Sequence, residues 1–420
     1  MTAGLEAGVV KVHGAPPRRK VTLPMALLGF ALLILVLSAI RLVTGADDIA
    51  SSGTLNAAVG LAVPIGMAGL GGLWAERSGV VNIGLEGMLI LGTWGAGFAG
   101  YQWGPWAGVA MAVLCGALGG LLHAIATVTF GVDHIVSGVA INILGLGATQ
   151  YLASVAFVGV PGGGSTQSPP IDKLPALSVP GASEFLGDIE KKGWFFISDL
   201  AAAVRAVTVN VNVLTVIAIA LLFATFYILW RTAFGLRLRS CGENPHAAES
   251  LGVNVYKYKY AAVIASGAFA GLGGAFLAIV ASFQYRDGQT GGRGFIGLAA
   301  MIFGNWRPGG LAAGAGLFGY TDALQLRRGG ESVHALLLVV AVALLVVSFL
   351  QLRRGNNTQL VVSVFVAAIF TVWFLLTDEV PGDFTGMTPY VTTLLVLALA
   401  SQRLRMPAAD GQIYRRGEGS

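Results

Sequence analysis

Val209-Asn-Val-Asn-Val-Leu-Thr-Val-Ile-Ala-Ile-Ala-Leu-Leu-Phe-Ala-Thr-Phe-Tyr-Ile-Leu-Trp230 carries no charged side chain and ends against Arg231. A hydrocarbon core about 30 Å thick is crossed by roughly 20 apolar residues in a helix. The stretch therefore reads as a membrane-spanning helix stopped by a cation. Working outward, comparable runs occupy 25–43, 55–74, 83–101, 106–129, 135–159, 259–283, 309–326, 332–350, 359–377 and 387–403. A further run, 295–304, is too short to cross as a straight helix and reads as a half-helix or re-entrant element. The expected fold is an all-α polytopic membrane protein of about 12 transmembrane or half-membrane helices.

Composition agrees. Hydrophobic residues make up 55% of the 420 and charged residues 11%, where a soluble domain has about a quarter charged. A soluble fold of this size cannot bury so much apolar surface; a bilayer can. The 60 glycines then point to close helix packing, because small residues let backbones approach. Gly267 and Gly271 form such a pair. Cys115 and Cys241 are too few for a disulfide framework and are expected as free thiols. The run at 25–43 is longer than a signal-peptide core of about 7–15 residues and reads as a first span.

Lys and Arg concentrate on the cytoplasmic side of membrane proteins. With the N-terminus inside and twelve crossings, that side receives Arg18, Arg19, Lys20, Arg77, Arg231, Arg237, Arg239, Arg353, Arg354, Arg403, Arg405, Arg415 and Arg416. The outside receives Asp47, Asp48, Asp378, Glu379 and Asp383, with Arg327 and Arg328 as the main exception. Both termini are expected in the cytoplasm. A basic tail, 1–24, precedes a membrane region, 25–403, and a second tail, 404–420, follows it. The region contains an external loop, 160–207, whose Pro161-Gly162-Gly163-Gly164 and later prolines break helices.

On the basic side lies Leu236-Arg-Leu-Arg-Ser-Cys-Gly-Glu-Asn-Pro-His-Ala-Ala-Glu-Ser-Leu-Gly-Val-Asn-Val255. Asn244 suits a helix N-cap, because its side chain can accept from an orphan backbone N–H. Pro245 suits the first helical position. His246 to Leu251 continue the helix, and Gly252 suits the left-handed residue that ends it. Nothing nearby in sequence is apolar enough to bury this two-turn helix, so it reads either as a solvated helix or as a docking helix for a cytoplasmic partner.

This segment resembles the Gly-Glu-Asn-Pro-x-Ala-Ala-x-x-x-Gly-Val/Ile coupling loop of bacterial ABC-importer permeases of the ribose, branched-chain amino-acid and nucleoside group. Trp74-Ala-Glu-Arg-Ser-Gly-Val-Val-Asn-Ile-Gly-Leu-Glu-Gly-Met-Leu89, Gly291-Gly-Arg-Gly-Phe-Ile-Gly-Leu-Ala-Ala-Met-Ile-Phe-Gly-Asn-Trp-Arg-Pro308 and Pro389-Tyr-Val-Thr-Thr-Leu-Leu-Val-Leu-Ala-Leu-Ala400 resemble its nucleoside or simple-sugar branch. The likeness covers roughly 55–326 and 387–416. It implies a permease fold with a coupling loop at 231–258, in which Glu243, Asn244, Pro245, Ala247, Ala248 and Gly252 meet a separate ATPase. It also implies a second permease, with a heterodimer favoured, and an external substrate-binding lipoprotein in a bacterial plasma membrane. ATP and magnesium would bind the ATPase, and the permease itself would hold no cofactor, no catalytic site and no nucleic acid. The loop 160–207 looks longer than the family's connection, and 327–380 looks like an added helical pair.

A Walker A loop is absent from the sequence, since no lysine is preceded by glycine and followed by Ser or Thr. Gly292-Arg-Gly294-Phe-Ile-Gly297 fits a dinucleotide fingerprint only by letter, because the region where the acidic residue should fall holds Ala and Gly. The histidines have no metal-ligand spacing and no Gly-x-Ser-x-Gly elbow occurs. Polar residues inside spans are costly and face cavities or one another. Asn82, Glu86, Asn142 and Asp322 are the candidates for a substrate pathway, with Asn56, Gln150 and Gln325 beside them. Asn82 and Glu86 are four apart, so they are expected to share one helical face; tying helices together is the plainer role for any one of them. Glu86 and Asp322 are also the carriers that a rival, an ion-gradient-driven secondary transporter, would need. A membrane-embedded enzyme lacks its catalytic constellation.

Overall fold

The computed structural model describes residues 23–327, 329–354, 357–388, 391 and 404–417. The chain runs through α1 (Leu23–Thr44), α2 (Ser52–Arg77), α3 (Leu85–Trp103), α4 (Pro105–Ala124, continued by a π-helical turn Ile125–Thr129) and α5 (His134–Ala156). Next follow β1 (Ala176–Leu177), α6 (Ala182–Lys191), α7 (Ile197–Thr208) and β2 (Val211–Asn212). Then come α8 (Val213–Arg231), α9 (Ala233–Glu243), α10 (Pro245–Ser250), α11 (Val255–Ala275, continued by π-helical Phe276–Ala281), α12 (Arg293–Phe303), α13 (Pro308–Leu326), α14 (Gly329–Arg354), α15 (Asn357–Leu376) and α16 (Gly382–Thr385). Seven of the described helices are long and apolar enough to cross a membrane: α2, α4, α5, α8, α11, α14 and α15. α3 and α13, at 19 residues each, pack among them. The expected last span, 387–403, lies for the most part outside the described residues.

The core forms where glycines remove the side chains that would hold helices apart. α4 and α11 cross at Gly116, Gly120, Gly267 and Gly271. A Cβ on Gly267 would stand 2.2 Å from the Gly116 carbonyl oxygen, and one on Gly271 2.2 Å from that of Ala112. No side chain fits there, so the expected packing role of Gly267 and Gly271 matches the structure. α2 runs through the centre, with Leu70, Leu73, Met301, Leu311 and Phe318 in one buried cluster around it. A hydrogen bond from Trp74 Nε1 to Thr225 Oγ1, 3.1 Å, ties α8 to it.

α12 is a half-helix in the literal sense. Gly297 packs on Ile65, Ala68 and Gly69 of α2, while Trp306 just beyond α12 meets Glu76 and Arg77. α12 thus runs parallel to α2, whereas α13 returns antiparallel, with Gly319 against Ala58 and Ala62. The non-helical 282–292 stretch leads into α12.

The segment 160–207 is more than a loop. Prolines are confined to its first part; α6 and α7 follow, amphipathic and clasped onto the end of α1 and the start of α2. Glu190 accepts from Ser52 N at 2.9 Å and from Arg205 Nη1 at 2.7 Å. Asp199 pairs with Arg41 at 3.1 Å. Asn56 donates to the Ala206 carbonyl at 2.8 Å, which places it in this clasp.

Candidate functional site

Two constructions stand out, one inside the membrane region and one on its basic side. The first is a break. α2 ends at Arg77, and α3 begins only at Leu85. Asn82 lies in the extended stretch between them, so the expectation that Asn82 and Glu86 share a helical face is corrected. The Asn82 Oδ1 accepts from Gly84 N at 3.0 Å, a local turn that competes with helix, and its Nδ2 donates to Ser266 Oγ at 2.8 Å. It is fully buried and binds two elements together.

Glu86 opens α3 and reaches across to α12. Its Oε1 accepts from Gly292 N at 3.0 Å and its Oε2 from Gly294 N at 2.6 Å. A helix N-terminus carries orphan N–H groups and a partial positive charge, so one carboxylate satisfies both. This is how a charge sits at 7% exposure within an apolar region. The three glycines are structural here: a Cβ on Gly294 would lie 2.6 Å from the Glu86 backbone, and Gly291 and Gly292 take positive φ of 54° and 78°. Asn142 stands beside this site. It accepts from Gly87 N at 2.7 Å and donates to the Ile83 carbonyl at 2.9 Å, fastening α5 to the break. Asp322 pairs with Arg293, the first residue of α12, at 3.3 Å. Glu86 and Asp322 thus meet at the amino end of α12, which Arg293 joins unannounced by the spacing, while Asn142 braces the start of α3. Gln150 lies apart, exposed on α5 and bonded to Asp287 at 2.9 Å.

The second construction is α10. The Asn244 side chain accepts from Ala247 N at 2.9 Å, Pro245 is the first helical residue, and Gly252 has φ of 81°. Burial differs from expectation. Ala248, at 2% exposure, packs into a cluster with Cys241, Val255 and Tyr414. α10 is therefore covered on one side from within the chain, by residues up to Tyr414 that local sequence cannot reveal. Ala248 cannot belong to an open docking face. Ala247 and Leu251, the latter 85% exposed, with Glu243 and Asn244, form the open side. Cys241 is a free thiol as expected, but buried in α9 rather than in a loop; burial pushes its pKa up to about 11.

Beneath α10, groups that the sequence did not single out converge. The Arg77 guanidinium donates twice to the Trp306 carbonyl, at 2.7 and 3.1 Å, and lies 3.9 Å from Glu243. Trp306 Nε1 donates to Glu76. Asn305 and Trp306 hold φ of 54° and 52°, uncommon for residues with a Cβ, and these bonds fix that turn. Glu76 and Trp306 both lie within the quoted motif stretches, which was the only signal available.

The sequence profile of the family described as branched-chain amino acid transport system / permease component matches residues 54–349. The match runs into α14. The guanosine ABC transporter permease protein NupQ of Bacillus subtilis is 35% identical over 368 residues, covering 85% of this chain and 94% of its own. The nucleoside ABC transporter permease protein NupC of Lactococcus lactis is 32% identical, with 84% and 93% covered. A putative glucose ABC transporter permease protein of Haloferax volcanii is 31% identical, with 87% and 98% covered. No solved structure matches the chain significantly.

Proposed function

The chain belongs to the branched-chain amino acid transport system permease family, and from that premise we propose that nucleosides, rather than sugars, are what it carries. It is a multi-pass membrane protein and a permease subunit of an ABC importer for nucleosides or sugars; subunits of this kind are transport components that work with an ATPase and a substrate-binding partner. The observation that carries the nucleoside reading is the likeness, along nearly the whole of both chains, to a guanosine and a nucleoside permease. The secondary-transporter alternative falls with family membership. Both of its carboxylates are also engaged, Glu86 by Gly292 and Gly294 and Asp322 by Arg293.

In this reading the chain sits in the bacterial plasma membrane with both termini in the cytoplasm and pairs with a second, different permease. Substrate arrives from a lipoprotein outside. The exposed Gln150–Asp287 pair supports a wet or protein-covered face at the outer end of α5, because an amide and a carboxylate are expensive against lipid. The route then passes the amino end of α12, beside the Arg293–Asp322 pair. On the basic side, Ala247 and Leu251 present α10 to the ATPase, which holds ATP and magnesium. Uptake of labelled nucleosides against labelled pentoses by the reconstituted complex tests the substrate: faster pentose uptake would overturn it.

A further inference from the structure

Residues 404–417 do not hang free as a tail. They form a strap across the basic side, touching the Asn305 turn after α12, the end of α9, and α10 with α11. At one end, Arg405 N donates to Asn305 Oδ1 at 2.8 Å, next to the cytoplasmic end of α12. In the middle, Ala408 N donates to Glu243 Oε2 at 3.3 Å and Ala409 N to the Gly242 carbonyl at 2.9 Å. Ala409 is buried, and its carbonyl oxygen would stand 3.1 Å from a Cβ on Gly79, in the break after α2. At the other end the Tyr414 ring packs between His246 of α10 and Tyr256 of α11, with centroids at 5.3 and 5.6 Å. Arg416 Nε lies 3.4 Å from Glu249 of α10.

From these contacts we propose that the C-terminal strap positions the coupling helix and links its movement to α12, so that Tyr414 and Asn305 are positioning residues for transport. The argument is mechanical. α10 has six residues, too short to hold its own place, since isolated helices below about 12 residues are marginal in water. Its inner face is covered by Tyr414, so whatever displaces α10 displaces the strap. The strap is tied by backbone bonds to Glu243 and Gly242 and then to Asn305, and α12 is held at its other end by Glu86. A push on α10 thus has a continuous set of contacts leading to the intramembrane break.

The inference rests on the permease reading above. The experiment uses the reconstituted complex of permeases, ATPase and binding protein, measuring uptake and ATP hydrolysis in parallel. Uptake by the unsubstituted complex tests that reading by itself, and in the transporting complex the substitutions test the strap. Then Tyr414→Ala should keep ATP hydrolysis while uptake per ATP falls about fivefold or more, the range of ordinary coupling energies. Tyr414→Phe should restore it, because the ring and not the hydroxyl fills the space. Should Tyr414→Ala not assemble, Asn305→Gly cuts the other end without touching the ring, keeps the positive φ, and carries the same expectation. Undiminished uptake per ATP in Asn305→Gly, or in Tyr414→Ala where it assembles, overturns the proposal.

Discussion

Glu86 of α3 accepts hydrogen bonds from Gly292 N and Gly294 N, at 3.0 and 2.6 Å, and so holds the first turn of α12 from a helix more than two hundred residues earlier. Two helices that begin inside the membrane region are joined by one carboxylate.

Glu86→Ala leaves both N–H groups buried and unanswered. Hydrogen bonds to a charged group contribute about 1.5–3 kcal/mol, so we predict a loss of that order, read as a lower melting temperature of the purified protein. Glu86→Gln keeps one carbonyl acceptor and should fall between. Unchanged melting in Glu86→Ala would show the bond to be energetically idle.

Of the two alanines of α10, Ala247 is exposed and Ala248 buried, and this separates docking from folding. Ala247→Trp adds bulk to the open side and should insert and fold normally yet lose the ATPase on purification. Ala248→Trp overfills the cluster around Tyr414, at about 1–3 kcal/mol, and should lower stability before any partner binds. Full transport and ATPase co-purification with Ala247→Trp would remove the docking assignment. Asn244→Ala, which costs about 1 kcal/mol of helix capping, should give a partial defect of the same kind.

Cys241 reports on the seating of α10. It is fully buried and its thiol is pushed up to about 11, chiefly by burial, so almost none is thiolate at neutral pH. A maleimide should label it slowly in the native protein and several times faster in Tyr414→Ala. Equal rates in both would mean that Tyr414 does not hold the cover in place.

Asp410 should make the strap pH-sensitive. Burial raises its carboxyl from 3.8 to about 7, with the hydrogen bond to Glu76 and the charges of Lys259 and Arg77 opposing. A raised acid favours the docked form most fully below its ordinary value and loses that contribution as pH rises through about 7. Tryptic release of the strap should therefore be faster above that pH than below it, and Asp410→Asn should flatten the dependence. A dependence that persists in Asp410→Asn would assign it elsewhere.

Much of this was legible in the sequence, and the gaps have physical causes. The spans follow from apolar length, which the bilayer alone imposes. The Asn244–Pro245–Gly252 boundaries of α10 follow from local capping chemistry, with every partner within eight residues. The relation of Asn82 to Glu86 was misread because the start of α3 depends on Ser266, far along the chain, which engages Asn82 and favours the turn. Ala248 looked open because its cover, Tyr414, comes from the other end of the sequence. α6 and α7 were hidden behind the prolines that precede them. Arg293 attracted no notice among glycines, since only the fold sets it against Asp322.

α12 has eleven residues and is therefore about 16 Å long at 1.5 Å per residue. Grasped by Glu86 at one end and by the Asn305 turn at the other, it is a rod with a pivot. A tilt of about 10° around Glu86 would sweep the far end through about 3 Å by that length, close to a side chain's width. Amplitude is then set by the distance between two grips.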